Sequence, residues 1–221
     1  MAEDKIVVSW SGGKDSALAL ATLRQYDAKV HTLLTTVTDP QQRISMHGVR
    51  EDLLAAQAEA LGLPLRVVRL PEGYSQEVYE DLFQRETEAL KAEGVHSYAF
   101  GDLSLQDVRD YRERQLARAD LKAVFPLWGL DSRKLAEGFL RQGFGAVVVM
   151  VDPRRLDRSF LGRDYDAQFL ADLPAGVDPC GEHGEFHTFV HSGPIFRRKV
   201  EVRRGEVVER QGFLFQDLLP A

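Results

Sequence analysis

The chain is poor in sulfur, with one cysteine, Cys180, in 221 residues. An intramolecular disulfide and a zinc site built from cysteines alone are therefore excluded. Nowhere do about eighteen apolar residues run together, so no membrane-spanning helix is expected. The start, Met1-Ala2-Glu3-Asp4, lacks the basic and then apolar character of a secretory signal. Excess positive charge is also missing: 28 Lys and Arg face 34 Asp and Glu, a net charge of −6. That balance argues against binding a nucleic acid backbone except through a local basic patch. Repeats, heptad arrays and low-complexity tracts are absent. These absences point to a soluble, cytoplasmic protein with no membrane partner. A hydrophobic content of 44% over this length suffices for a real core in one large or two small domains.

What stands out is Ser9-Trp10-Ser11-Gly12-Gly13-Lys14-Asp15-Ser16. It follows the apolar run Lys5–Val8 and precedes the helix-forming run Ala17–Leu23, giving strand, glycine turn and helix start in sequence. A helix N-terminus presents unpaired N–H groups and the positive end of the dipole, a seat for phosphate. Gly12 and Gly13 allow close approach of backbone to an anion. Lys14 supplies a point charge, and the hydroxyls of Ser11 and Ser16 can donate to phosphate oxygens. The stretch is no Walker loop, because Val8 stands where that loop needs glycine and Asp15 where it needs Ser or Thr. The dinucleotide fingerprint G-x-G-x-x-G is absent too. SGGKDS instead resembles the pyrophosphate loop, or PP-loop, of ATP pyrophosphatases, which split ATP into AMP and pyrophosphate while activating an acceptor.

Strand and helix signals alternate along the chain, which predicts a doubly wound, mostly parallel sheet in an α/β fold. Strands are expected at Val30–Val37, Leu65–Leu70, Tyr98–Phe100 and Ala123–Phe125. Helices are expected at about Val49–Leu61, from the N-cap Ser75 to about Ala92, and at Asp110–Ala119. After Phe125 the character changes. One more helix (Asp131–Gln142) and strand (Ala146–Val151) lead into a glycine- and proline-rich stretch. The tail then reads as a hairpin whose turn is Arg204-Gly205. The division expected is 1–125, an ATP-binding domain, and 126–221, a smaller α+β acceptor-binding domain.

Ligands of an open parallel sheet sit beyond the carboxyl ends of its strands. Three segments gather there: the loop Ser9–Ser16, the end of the second strand (Thr35, Thr36, Val37, Thr38, Asp39) with Ser45-Met46-His47-Gly48, and Gly101-Asp102-Leu103. Adenine is expected against the second strand near Thr36, with His47, Gly101 and Asp102 as further site residues. Asp15 reads either as a Mg²⁺ ligand bridging phosphates or as a helix cap. The densest polar cluster is Asp178–Thr188, where Glu182, Glu185, His183 and His187 lie on a glycine-punctuated loop. It reads as an acceptor-binding loop, a metal site or plain solvated connection.

Taken with Pro126-Leu127-Trp128, Leu161-Gly162-Arg163 and GEHGEFHTFVHSGPIF (Gly181–Phe196), these segments resemble the diphthine–ammonia ligase family of ATP pyrophosphatases nearly end to end. The family's C-terminal signature resembles G-E-x-G-E-[YF]-x-T-x-V-x-x-[AG]-P-x-F. Eukaryotic and archaeal members carry a segment resembling Ser-Asp-Tyr-Gln-Arg after the fourth strand. Here Asp110-Tyr111-Arg112-Glu113-Arg114-Gln115-Leu116 looks more like the bacterial branch. The resemblance implies a HUP-type, adenine nucleotide alpha hydrolase-like domain and an ATP- and Mg²⁺-dependent ligase. Such an enzyme adenylates an acceptor carboxylate, small or protein-borne, releases pyrophosphate and forms an amide with ammonia. Lys14, Glu182, Glu185 and His187 are then candidate catalytic residues, and a homodimer stays open. The rival readings are a PP-loop tRNA sulfur-transferase, for which only Cys180 could carry sulfur, and a non-catalytic adenine-nucleotide sensor.

Overall fold

The computed structural model describes residues 4–39, 41–44 and 47–221. Met1–Glu3 and the site segment members Ser45 and Met46 lie outside them. In chain order the first half runs β1 (Lys5–Ser9), α1 (Lys14–Gln25), β2 (Lys29–Thr38), β3 (Arg43–Ile44), α2 (Glu51–Leu61), β4 (Leu65–Leu70), α3 (Gln76–Ala92), β5 (Val95–Ala99), α4 (Gln106–Ala117) and β6 (Lys122–Val124). The second half runs α5 (Ser132–Arg141), β7 (Gly145–Val151), a 3-10 turn (Arg158–Phe160), α6 (Ala167–Asp172), β8 (Phe186–Ser192), β9 (Val202–Arg210) and β10 (Phe213–Pro220).

The first sheet is parallel in the order β4-β2-β1-β5-β6, with the short β3 antiparallel on the far end of β2. Strand side chains alternate between its faces. Val8, Leu33, Val37 and Ala99 therefore join one apolar cluster, and Val7, Leu34, Tyr98 and Phe100 join another. Both faces are covered, as expected for parallel strands that read as continuous apolar runs. The helix α1 is buried along most of its length from Ala17 to Leu23, and its alanines permit that close packing. The outer helix α3 buries only Phe83, Thr87 and Leu90.

The second sheet is antiparallel, β8-β7-β10-β9. Its strands β7 and β8 bring Val147, Val148, Phe189 and Val190 into the cluster that also holds Val8, Trp10 and Leu54. One core thus runs through both sheets.

Three sequence expectations need correction. The stretch after Glu185 is not loop but β8, the edge strand beside β7. The hairpin does not turn at Arg204-Gly205, which lie inside β9; it turns at Gln211-Gly212, both with positive φ (51° and 79°), the dihedrals a tight two-residue hairpin requires. Finally, α4 begins at Gln106, four residues before the expected Asp110.

Candidate active site

In the first sheet β1 lies between β2 and β5. The chain leaves β1 for β2 on one side, and after β4 at the edge it returns to β5 on the other. The loops after β1 and β5 therefore diverge and open a crevice at the switch point. Gly12 takes φ +76°, a left-handed conformation open to glycine. Gly101 is glycine for contact: a Cβ there would fall 2.8 Å from the Asp15 carbonyl carbon and 3.0 Å from the Ser16 nitrogen.

The phosphate loop is held by distant residues. The Gly12 carbonyl accepts from the Val190 N–H at 2.9 Å and from Gln57 Nε2 at 3.0 Å. Gln57 also donates to the Val190 carbonyl at 2.6 Å and accepts from Trp10 Nε1 at 2.9 Å. Of the helix-start amides, Lys14 N–H donates to Thr188 Oγ1 at 3.1 Å and Ala17 N–H to the Gly13 carbonyl at 3.1 Å. The N–H groups of Asp15 and Ser16, which have no acceptor earlier in their own helix, are the ones left for an anion. Ser16 Oγ donates to the Gly13 carbonyl at 2.9 Å and lies 3.3 Å from Ser11 Oγ.

Lys14 departs from expectation. Its side chain is 2% exposed and its ammonium donates to Asp15 Oδ2 at 2.9 Å and to the Cys180 carbonyl. It points into the protein and does not line the crevice. Burial, the largest single influence, would lower its pKa, but the acidic groups around it, Asp15 foremost, together outweigh burial and the net shift is upward, so it stays charged. The same burial raises the pKa of Asp15 against the pull of Lys14. The other oxygen, Asp15 Oδ1, is buried without a partner among the described residues. Asp15 is no helix cap: the N-cap of α1 is Gly13.

The C-terminal loop folds over the crevice, and its carboxylates divide. Glu182 Oε1 accepts from Ser104 N–H at 2.8 Å and Leu103 N–H at 3.1 Å, which latches the loop to the segment after β5. Burial raises the pKa of its carboxyl. Glu185 is 3% exposed and turned inward, and its oxygens accept from His183 N–H at 3.0 Å and Asp178 N–H at 3.4 Å. Glu185 is not among the residues that line the crevice, and its carboxylate turns onto these loop amides and away from the face expected to be shared with His187. His187 does face the crevice and stacks on His47 with ring centroids 4.3 Å apart. Burial lowers the pKa of His47 to about 4 and that of His187 well below its ordinary value, so both rings are neutral. His47 Nδ1 sits 3.3 Å from the Thr188 carbonyl and must be the protonated nitrogen of the ring. His187 Nε2 is buried and has no partner among the described residues.

The resulting cleft holds about 450 Å³, the size of a small-ligand site. Ser9, Ser11, Asp15, Ser16, Thr36, His47, Gly101, Asp102, Glu182 and His187 all line it, while Gly12 and Gly13 shape the loop behind it. Asp102 accepts from Arg112 Nε at 2.7 Å, and that guanidinium lies 4.3 Å over the Phe100 ring. Sequence reasoning missed Gln57, Thr188, Arg112 and the aromatic wall of Tyr74, Tyr79, Phe83 and Tyr98. Thr188 and Arg112 lay in segments already singled out but without a site role, Gln57 carried no signal, and the aromatic residues are brought in by distant elements.

The Diphthamide synthase N-terminal domain family matches residues 4–123 and the Diphthamide synthase C-terminal domain family matches residues 131–216. Diphthine–ammonia ligase of Bos taurus is 28% identical over 93% of this chain and 85% of its own. The Homo sapiens protein of that name is 28% identical over 90% and 82%, and the Schizosaccharomyces pombe protein is 25% identical over 93% of this chain and 37% of its own. A U34-tRNA thiolase from Methanococcus maripaludis, solved with its [4Fe-4S] cluster, superposes on 62% of this chain and 57% of its own at TM-score 0.40 and 16% identity. That structural likeness is too slight to bear on function. With family matches over both halves, the chain belongs to the diphthamide synthase family.

Proposed function

We propose that the chain is an ATP-dependent amide ligase of the diphthine–ammonia type. The observation that carries this reading is the cleft itself, where a helix-start loop with free amides faces a neutral imidazole across a ligand-sized space. An acceptor carboxylate oxygen attacks the α-phosphorus of ATP, the α–β bridging P–O bond breaks and pyrophosphate leaves. Ammonia then attacks the acyl carbon, the bond to AMP breaks, and the ammonia nitrogen gives up a proton. The Asp15 and Ser16 amides, with the positive end of α1, suit the charge that grows on pyrophosphate. His187 Nε2 is the neutral base at hand for the proton.

Magnesium fits the residues present. Asp15 Oδ1 is a buried oxygen without a donor among the described residues, and Mg²⁺ is commonly held by one or two carboxylates together with substrate phosphates. Among the described residues no group of three or more His, Cys, Asp or Glu could hold a metal by itself, in keeping with a cation shared with the nucleotide. When bound, it would neutralise phosphate charge.

The acceptor is a carboxylate, small or protein-borne, in a cytoplasmic setting. The segment Asp110–Leu116 supports placing the chain in the bacterial-type branch. Cys180 argues against sulfur transfer: its thiol is buried, donates to the Ser132 carbonyl at 3.2 Å, and has its pKa pushed up by burial to about 12, so little of it is nucleophilic thiolate. Chromatography of the nucleotide products with ammonium and a carboxylate acceptor tests the reading. AMP and pyrophosphate are expected, in proportion to amide formed. ADP as the main product would replace the ligase by a kinase-like or ATPase reading.

A further inference from the structure

Two imidazoles share the cleft, and they are held differently. His187 lies at an irregularity of the second sheet: β7 carries an extra residue, Val149, opposite the step from His187 to Thr188, a bulge of the kind that re-aims side chains. His47 comes from the segment between β3 and α2 and is fixed on three sides. Its Nδ1–H donates to the Thr188 carbonyl at 3.3 Å. Its edge rests on the phosphate loop, where a Cβ on Gly13 would fall 2.9 Å from its Cε1. The next residue, Gly48, is pressed on the second sheet: a Cβ there would fall 2.6 Å from the Phe215 ring, and the Gly48 carbonyl accepts from Arg43 at 2.7 Å. The face of His47 lies on His187, with centroids 4.3 Å and planes 15° apart. No water fits between rings that close.

We propose that His47 is a positioning residue for His187: its ring is the plate that closes one face of the His187 imidazole to water, leaving Nε2 to meet the cleft as a free lone pair. The inference rests on the ligase reading, in which that lone pair takes the proton of the attacking ammonia. Burial is the first cause that keeps His187 well below its ordinary 6.5, and His47 and Lys14 add to it. Of the charged groups around the pair, Lys14 opposes protonation of both rings. Asp15, Asp102 and Glu182 line the same cleft, Arg112 is taken up by Asp102, and Arg43 by Asp217 and the Gly48 carbonyl. Two imidazolium rings in stacking contact would repel, so the pair accepts one proton and not two.

Two variants test the plate. His47→Asn removes the ring and keeps a donor near the Nδ1 position, whereas His47→Phe keeps a ring. His187 is titrated in each full chain, free of nucleotide, by NMR of labelled histidine ring nitrogens. In the parent and in His47→Phe it should stay neutral down to about pH 5.5, and in His47→Asn it should titrate nearer the ordinary value of about 6.5. AMP formation per folded molecule, taken as the ratio of His47→Asn to parent, should then fall between about pH 7.5 and about pH 5.5, by about tenfold where the ordinary value is fully restored. The same ratio for His47→Phe should not change with pH. A merely structural role for His47 would lower the rate by one factor throughout. Identical titration of His187 in parent and His47→Asn, or titration near 6.5 in the parent, would overturn the proposal. So would a His47→Phe chain in which His187 titrates near 6.5, which decides the matter even where His47→Asn does not fold. If His187 titrates as expected but no acceptor drives AMP formation, the ligase reading fails and the plate stands. If AMP and pyrophosphate form but the His47→Asn ratio is constant with pH, only the positioning role falls.

Discussion

Lys14 shows how far one residue's chemistry can be read from its neighbours in sequence. The turn Ser11–Ser16 was legible because strand, glycines and helix start are contiguous. Where the lysine points was not, because its acceptor at Cys180 lies 166 residues away. The ammonium is a strut between the phosphate loop and the C-terminal loop, and its loss leaves the partly exposed Asp15 carboxylate and the Cys180 carbonyl without their donor. Lys14→Ala is therefore expected to lose about 1–3 kcal/mol of stability, the usual cost of leaving hydrogen-bonding groups unsatisfied, in denaturant unfolding. A variant as stable as the parent but selectively blind to ATP would return Lys14 to the phosphates. Glu185 carries the complementary lesson. Its spacing from His187 suggested a common face, yet β8 begins only at Phe186 and the carboxylate turns back onto the loop amides of His183 and Asp178. Glu185→Gln replaces one acceptor oxygen by an amide that cannot accept, which should cost about 1–3 kcal/mol. Turnover per folded molecule should hold. A hundredfold fall in turnover with an unchanged melting curve would show that Glu185 does meet the substrates.

Among the elements, the five parallel strands were legible from apolar runs closed by glycine or polar residues, and the alternation of helices between them fixed the class of fold. The edges of the second sheet were not. The strand β9 is largely exposed, with few inward residues to mark its period, and Gly205 looked like a turn because glycine is rare inside strands. What positions β10 is charge that no local pattern announces. Asp217 accepts from Arg43 at 2.8 Å and from Arg50 at 2.6 and 3.0 Å, pinning β10 to β3 and to the start of α2. Burial would raise the carboxyl pKa, but the two arginines outweigh it and hold it at about 2 instead of 3.8. A depressed carboxyl pKa stabilises the fold above the unfolded value, and that stability is lost as pH falls from 3.8 through 2. The difference corresponds to about 2 kcal/mol. Asp217→Asn should therefore be less stable than the parent at pH 6, with the gap closing as the pH approaches 2. A gap that is constant with pH would mean the clamp acts through shape rather than charge.

On the scale of the whole molecule, the two sheets have separate strands but not separate interiors. The strands of the parallel sheet end at Val124 and those of the antiparallel sheet begin at Gly145, yet Trp10, Leu54, Phe189 and Val190 belong to one buried cluster. The phosphate loop is the seam. Val190 and Thr188 bind it from β8, Cys180 holds its lysine, and Glu182 ties the returning loop to the segment after β5. Composition showed a change of character near Phe125 but could not show this, since the contacts join residues 78 or more positions apart. A fragment ending at residue 125 would expose the apolar face that β7 and β8 cover, leave the Lys14 ammonium without its carbonyl, and free Gly12 to lose its fixed turn. Burial of that kind of face contributes about 25 cal/mol per Å², and net stabilities are only about 5–15 kcal/mol, so the fragment has little left to fold with. It is expected to melt without a cooperative transition in circular dichroism and to show no saturable ATP binding in calorimetry, although it keeps every strand of the nucleotide sheet. Adding residues 126–221 as a separate chain should restore some binding if the seam re-forms. A fragment that unfolds cooperatively and binds ATP as the full chain does would mean the parallel sheet is self-sufficient and the second sheet serves the acceptor alone.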